Sequence, residues 1–167
     1  MTILPCQRDA FAIPRDVHYL NCAYMGPLPR AVSAAVAAGA ALKASPWTYR
    51  PADFFAHIEG YRSRAARLMG SAVDDVALVP SASYGLAIAA KNLPLARGQN
   101  VVVLGDQFPS NYYVWTAMAD EMGANVRIAR RDAEDDWTAA VLAHIDADTA
   151  IVAAPHCHWA DGRLVDL

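Results

Sequence analysis

The chain has 167 residues, 55% of them hydrophobic and 19% charged, which gives one domain's length of chain enough apolar material for a core. Its net charge of -3 excludes the surplus of clustered Lys and Arg that nucleic-acid phosphates require. The longest apolar run, AVSAAVAAGAALKA, is too short for a bilayer, and Cys6, Cys22 and Cys157 form no paired framework, so a cytoplasmic protein without membrane or nucleic-acid partners is expected.

In chain order, YLNCAYMGPLP reads as a short extended piece closed by a Gly-Pro-Leu-Pro turn, and the alanine-rich segment from Arg30 to Lys43 has the propensity of a helix. SPWTYRPADFF is a loop with two prolines. A second, amphipathic helix follows, with Phe54, Phe55, Ile58, Tyr61, Ala65 and Leu68 near helical spacing and Gly70 as its stop. Strands and helices then alternate: VALVP, YGLAIAAKNL, NVVVLG, NYYVWTAMADEMG, NVRIAR, WTAAVLAHI and TAIVAAP. The strands carry few alternating polar residues, as strands buried on both faces of a parallel sheet do, and right-handed crossovers follow. The last residues, GRLVDL, read as the start of a helix. A sheet that breaks off there has an unpaired edge, so the chain is expected to be part of something longer.

Three strand ends carry candidate chemistry. In VPSASYGLAIAA, Pro80, Ser81, Ala82 and Ser83 lead into a helix expected to begin near Tyr84 and Gly85. Unpaired N–H groups at a helix start, small residues and hydroxyls suit a phosphate; they also suit plain N-capping by Ser81 or Ser83. No G-x-G-x-x-G and no G-x-x-x-x-G-K-[ST] occurs, so the usual dinucleotide and nucleotide loops are absent. In VVVLGDQFPSNYYVW, Phe108 is followed by the rigid Pro109 and by Ser110 and Asn111 at an expected helix start. Carboxyl ends of strands are where open α/β sheets hold ligands, so the ring is either a packed core residue or a platform for something flat. In AAPHCHWADGRLVDL, the residues His156, Cys157, His158, Trp159 and Asp161 gather after the last strand. Neighbours alternate in direction there and no second, spaced ligand pair exists, so no metal is expected.

Taken in series, these three segments and the YLNCAYMGPLP arm resemble the class V aminotransferase family of pyridoxal-phosphate enzymes of fold type I, which includes cysteine desulfurases, kynureninases and isopenicillin N epimerase-like proteins. The resemblance runs from Tyr19 to Leu167 and corresponds to about the first half of such an enzyme. It implies an α/β fold with three layers and a mostly parallel sheet, the large domain of the family in incomplete form. Residues 1–70 would be an amino-terminal arm with helices, and residues 71–167 part of the cofactor-binding domain.

The resemblance also implies roles. The turn SASYG matches the one that grips the phosphate of pyridoxal 5'-phosphate, Ala82 through its backbone and Ser83 through backbone and hydroxyl. Phe108 matches the side chain stacked on the pyridine ring, and FPSN is similar to the Phe-Pro-Ser/Thr-Asp stretch of kynureninases, with Asn111 in place of Asp. Trp159 matches an Asn that cysteine desulfurases carry near the cofactor's phenolic oxygen; an indole N–H can donate there but not accept. Asn21, Ala23, Asn111 and His158 fall on the substrate side. The partners implied are an amino acid or amine substrate and a second copy of the chain in a homodimer.

Such an enzyme needs a lysine amine to hold the cofactor and an acid beside the pyridine nitrogen. The resemblance puts both beyond Leu167, and neither Lys43 nor Lys91 matches the lysine. The chain alone is therefore expected to be inactive. The alternative is a non-catalytic domain that binds a partner or a full-length relative.

Overall fold

The computed structural model describes residues 3–22, 24–131 and 136–167. They fall into two compact units, Met1–Ala77 and Leu78–Leu167.

The first unit holds two helices, α1 (Arg30–Ala41) and α2 (Asp53–Met69). α1 follows Pro29, whose fixed φ suits a helix entrance, and persists on alanine propensity. α2 ends at Gly70, where a φ of 70° lets the chain turn back and donate an N–H to the Ala66 carbonyl. Arg62 ties the next turn to this helix, donating to the Val76 carbonyl at 2.7 Å and the Val73 carbonyl at 2.8 Å while pairing with Glu59. The expected extended piece in the arm is instead a set of turns, held by the Tyr19 hydroxyl donating to the Met25 carbonyl at 2.8 Å. Among the described residues of this unit only Ala66 and Val76 are buried hydrophobics, while Phe54, Phe55, Ile58, Tyr61 and Leu68 on α2 are exposed.

The second unit is a parallel sheet of three strands, β1 (Asn100–Leu104), β2 (Asn125–Ala129) and β3 (Thr149–Ala153), in the order β2-β1-β3. Helices α3 (Ala82–Asn92) and α4 (Tyr113–Met122) cover one face, where Leu86, Ala89 and Trp115 pack on Val101 and Val103. Helix α5 (Trp137–Leu142), capped by Asp136, covers the other with Trp137 and Val141 on Val102 and Leu104. β1 is therefore buried along its whole length, which is why its sequence shows no polar alternation. The three-layer α/β architecture is the one expected.

Chain order puts a switch between β1 and β3. β1 passes through α4 to β2 on one side, and β3 returns through α5 to the other side. Loops leaving the carboxyl ends of these neighbours diverge and open a crevice, where ligands of such sheets sit.

Two expected elements are corrected. VALVP is not a strand: none of its residues joins the sheet, and Leu78 and Val79 remain partly exposed. GRLVDL is not a helix: Gly162 takes a φ of 71°, His158 N–H donates to the Arg163 carbonyl at 2.8 Å, and Val165 N–H to the His156 carbonyl at 2.9 Å. That tight hairpin turns Val165 into the core beneath α5.

Candidate functional site

The crevice is built from the starts of two turns. α3 begins at Ala82, two residues earlier than its sequence suggests, because the Ser81 hydroxyl accepts from Tyr84 N–H at 3.1 Å and its carbonyl from Gly85 N–H. The N–H groups of Ala82 and Ser83 carry no acceptor among the described residues and point out of the helix start, where its dipole favours an anion. Ser81 therefore caps the helix and leaves Ala82 and Ser83 available.

Ser83 Oγ lies 2.7 Å from Ser110 Oγ, in the single 3-10 turn (Pro109–Asn111) that follows β1. One hydroxyl donates to the other, so one proton of the pair remains for a third atom. Phe108 opens this turn with its ring half exposed. A cavity of about 460 Å³ has Ala82, Gly85, Leu86, Phe108, Asn111 and Trp159 in its wall, together with Cys157. The helix start and the aromatic plate therefore share one cavity.

Trp159 meets Phe108 edge to face, with ring centroids 5.3 Å apart and planes at 85°. Its indole N–H donates to the Asp106 carbonyl at 2.7 Å and so is already engaged. Asn111 lines the cavity, yet its amide is used internally: Nδ2 donates to the Ala153 carbonyl of β3 at 3.1 Å, and Oδ1 accepts from Trp115 Nε1 at 2.9 Å. Gln107 accepts Phe108 N–H at 2.8 Å and leaves its own buried Nε2 without a partner among the described residues.

His158 does not line the cavity. It is buried, stacked on Trp137 at 4.6 Å on the α5 face, with Nε2 3.2 Å from the Gly105 carbonyl. Its Nδ1 lies 3.4 Å from Asp161 Oδ1, close enough for charge attraction but without hydrogen-bond geometry. The chain has left β3 by residue 154, so strand alternation no longer directs it, and His156 is exposed. Asp161 anchors this side. Arg163 N–H donates to it at 3.0 Å, Arg131 at 2.8 Å and Trp137 Nε1 at 3.2 Å, and these bonds, the backbone one foremost, hold its carboxyl down at about 2. Asn21 is in the first unit, exposed, its carbonyl accepting from Tyr24 and Met25 N–H; Ala23 lies outside the described residues. No group of three His, Cys, Asp or Glu side chains suited to a metal ion occurs among the described residues.

The donor set fits a group that joins a phosphate to a flat ring. Ala82, with its free amide, and Ser110 line the cavity, Ser83 adjoins it through its hydroxyl contact with Ser110, and Phe108 and Trp159 supply aromatic surface in the same wall. Among the described residues no lysine or arginine lines it, so the helix start itself meets the anion's charge. Sequence places Ser110 at a helix start and Cys157 after the last strand but gives neither a part in this cavity; Ser110 joins it through its contact with Ser83, 27 residues away, and Cys157 as a wall residue.

The family model for aminotransferase class-V matches residues 32–167. An uncharacterized aminotransferase, YcbU of Bacillus subtilis (strain 168), is 28% identical over 119 residues, which cover 64% of this chain and 28% of YcbU. Among solved structures, a C-DES mutant with glycine covalently linked to its PLP cofactor superposes with a TM-score of 0.81 at 20% identity, over 98% of this chain and 44% of that one. The cysteine desulfurase CsdA from Escherichia coli gives 0.79 at 21% identity, over 96% of this chain and 43% of its own. The chain thus spans less than half the length of these proteins, and the structural likenesses show a shared fold.

Proposed function

The chain belongs to the class V aminotransferase family, and from that premise we propose that it forms the phosphate-binding and ring-stacking part of a pyridoxal 5'-phosphate enzyme acting on an amino acid or amine. The observation that carries this reading is the 2.7 Å contact between Ser83 and Ser110, which ties the start of α3 to the turn bearing Phe108, with Ala82, Ser110 and Phe108 lining one cavity.

Bound there, pyridoxal 5'-phosphate would supply a ring that draws electrons away from the substrate's Cα. Ala82 and Ser83 N–H would hold the phosphate together with the proton left over from the Ser83–Ser110 pair, and Phe108 would shield the ring from water. Asn111 acts from behind, fixing the 3-10 turn to β3 and α4. Lys91 sits near the far end of α3, roughly 12 Å along the helix from Ser83 at a rise of about 1.5 Å per residue. On this reading Lys91 is not the lysine that holds the cofactor, Lys43 does not match that lysine either, and the chain by itself would be inactive. Its three free, exposed cysteines suit a reducing cytoplasm.

Pyridoxamine 5'-phosphate tests the site directly, because it binds without a lysine. Calorimetry should show saturable binding that S83A weakens; no binding at millimolar ligand sinks the proposal. Stable, stoichiometric labelling of one lysine by pyridoxal 5'-phosphate and borohydride would overturn the inactivity.

A second reading, association with a partner or a second copy, has its own support. The first unit buries little, and α2 presents Phe54, Phe55, Ile58, Tyr61 and Leu68 outward. Sedimentation equilibrium checks it: a dimer disrupted by F55D favours association through this face, whereas a monomer at all concentrations removes the homodimer.

A further inference from the structure

Trp159 stands where the family resemblance places a cofactor contact, but the structure gives its polar atom another partner. We propose that Trp159 is a positioning residue that sets the tilt of the Phe108 plate, acting through the turn at the end of β1 rather than by donating to the cofactor; the inference rests on the cofactor reading above.

Three observations converge. Asp106 has a φ of 51°, a left-handed backbone at a residue that is not glycine, and such a conformation persists where its surroundings hold it. The indole N–H of Trp159 holds it, donating to the Asp106 carbonyl at 2.7 Å across 53 residues of sequence. The same indole meets the Phe108 ring edge to face at 5.3 Å, so one side chain grips both the backbone before the plate and the plate itself. Between them Gln107 accepts the Phe108 N–H at 2.8 Å, a bond within the segment, so its outside anchor among these contacts is Trp159.

An aromatic plate serves a flat ligand only at the right angle and separation. Phe108 is half exposed and has no tight core socket of its own, so the edge-on indole is what limits its swing. Donation from Trp159 to a ring hydroxyl would require breaking the bond to Asp106 and releasing that turn. Trp159 is itself 55% exposed, so replacing it leaves the core intact.

The experiment compares three ligands on the full chain: pyridoxamine 5'-phosphate, its analogue lacking the ring hydroxyl, and inorganic phosphate, which reaches only the start of α3. W159F keeps a ring against Phe108 and removes the N–H; W159L removes both. In W159F, affinity for pyridoxamine 5'-phosphate should fall about fivefold, the worth of one hydrogen bond. In W159L it should fall by about tenfold or more as the ring contact goes too. Inorganic phosphate should bind all three proteins alike, and the induced circular dichroism of the saturated ligand should weaken in W159F. The loss should be the same for the analogue without the hydroxyl. A loss confined to the ligand bearing the hydroxyl would assign Trp159 to direct donation and overturn the proposal, as would W159F binding like wild type. An equal loss of phosphate binding would overturn it in favour of general damage. Wild type that fails to bind pyridoxamine 5'-phosphate at all would remove the cofactor reading itself.

Discussion

Asn111 offers the sharpest test of how the turn beneath the plate is held. Its amide bridges two groups from elsewhere in the fold, donating to the Ala153 carbonyl and accepting from the indole of buried Trp115. N111D keeps the acceptor for Trp115 but turns the donor into a carboxylate oxygen facing a carbonyl. One hydrogen bond is lost and a largely buried carbonyl is left opposite a negative charge, a cost of about 2 kcal/mol. For a unit of this size that is about 10 °C in Tm. The sign with pH follows from protonation: a neutral carboxyl can again donate to Ala153, so the deficit shrinks as pH falls through the carboxylate range. Urea melts of N111D and wild type at pH 7 and pH 4 measure both effects. A variant within about 0.5 kcal/mol of wild type at pH 7 would show that the Asn111 bridge does not hold the turn. The kynureninase-like stretch with Asp in this position would then differ from FPSN for some reason other than this bridge.

The remaining predictions concern the anion end, the α5 side and the core. S83A and S110A should each weaken pyridoxamine 5'-phosphate about fivefold to tenfold, since each removes a member of the hydroxyl pair, and calorimetry reads the change. Asp161 is held down at about 2 in the folded chain against about 3.9 unfolded, so its contribution is present above pH 4 and is lost as pH falls toward 2; D161N should be less stable at pH 7 and flatter across that window in acid titrations followed by circular dichroism. L104A, at a residue 1% exposed in the middle of the sheet, should cost about 2–5 kcal/mol in urea unfolding, whereas L68A on exposed α2 should cost under about 1 kcal/mol.

What could be read before the structure was what depends on local pattern. The apolar runs of β1, β2 and β3 and the helices between them follow from strands buried on both faces, and the small, hydroxyl-rich turn before α3 announces a helix start. Phe108 stands out because a bare ring after a buried strand has no local partner. The misreadings have one physical source: strands and site contacts need partners that sequence does not name. VALVP is as apolar as β1 but finds no neighbouring strand. His158 left the site because the chain turns after Ala153 and the Gly162 hairpin swings the imidazole onto Trp137. The engagement of Trp159 by Asp106 and of Ser110 by Ser83 links segments 53 and 27 residues apart, with no local signal for either.

In the proposed site the amides at the start of α3 and the Phe108 plate hold opposite ends of one ligand. Backbone amide NMR of the labelled chain during titration with pyridoxamine 5'-phosphate tests it most directly. Large shifts are expected at Ala82 and Ser83, as their N–H groups take phosphate oxygens, together with ring-current shifts in the Phe108 side chain. Ala82, Ser83 and Phe108 left unmoved, or shifts confined to the groove that Lys91, Leu95 and Val114 line between α3 and α4, would put the ligand elsewhere.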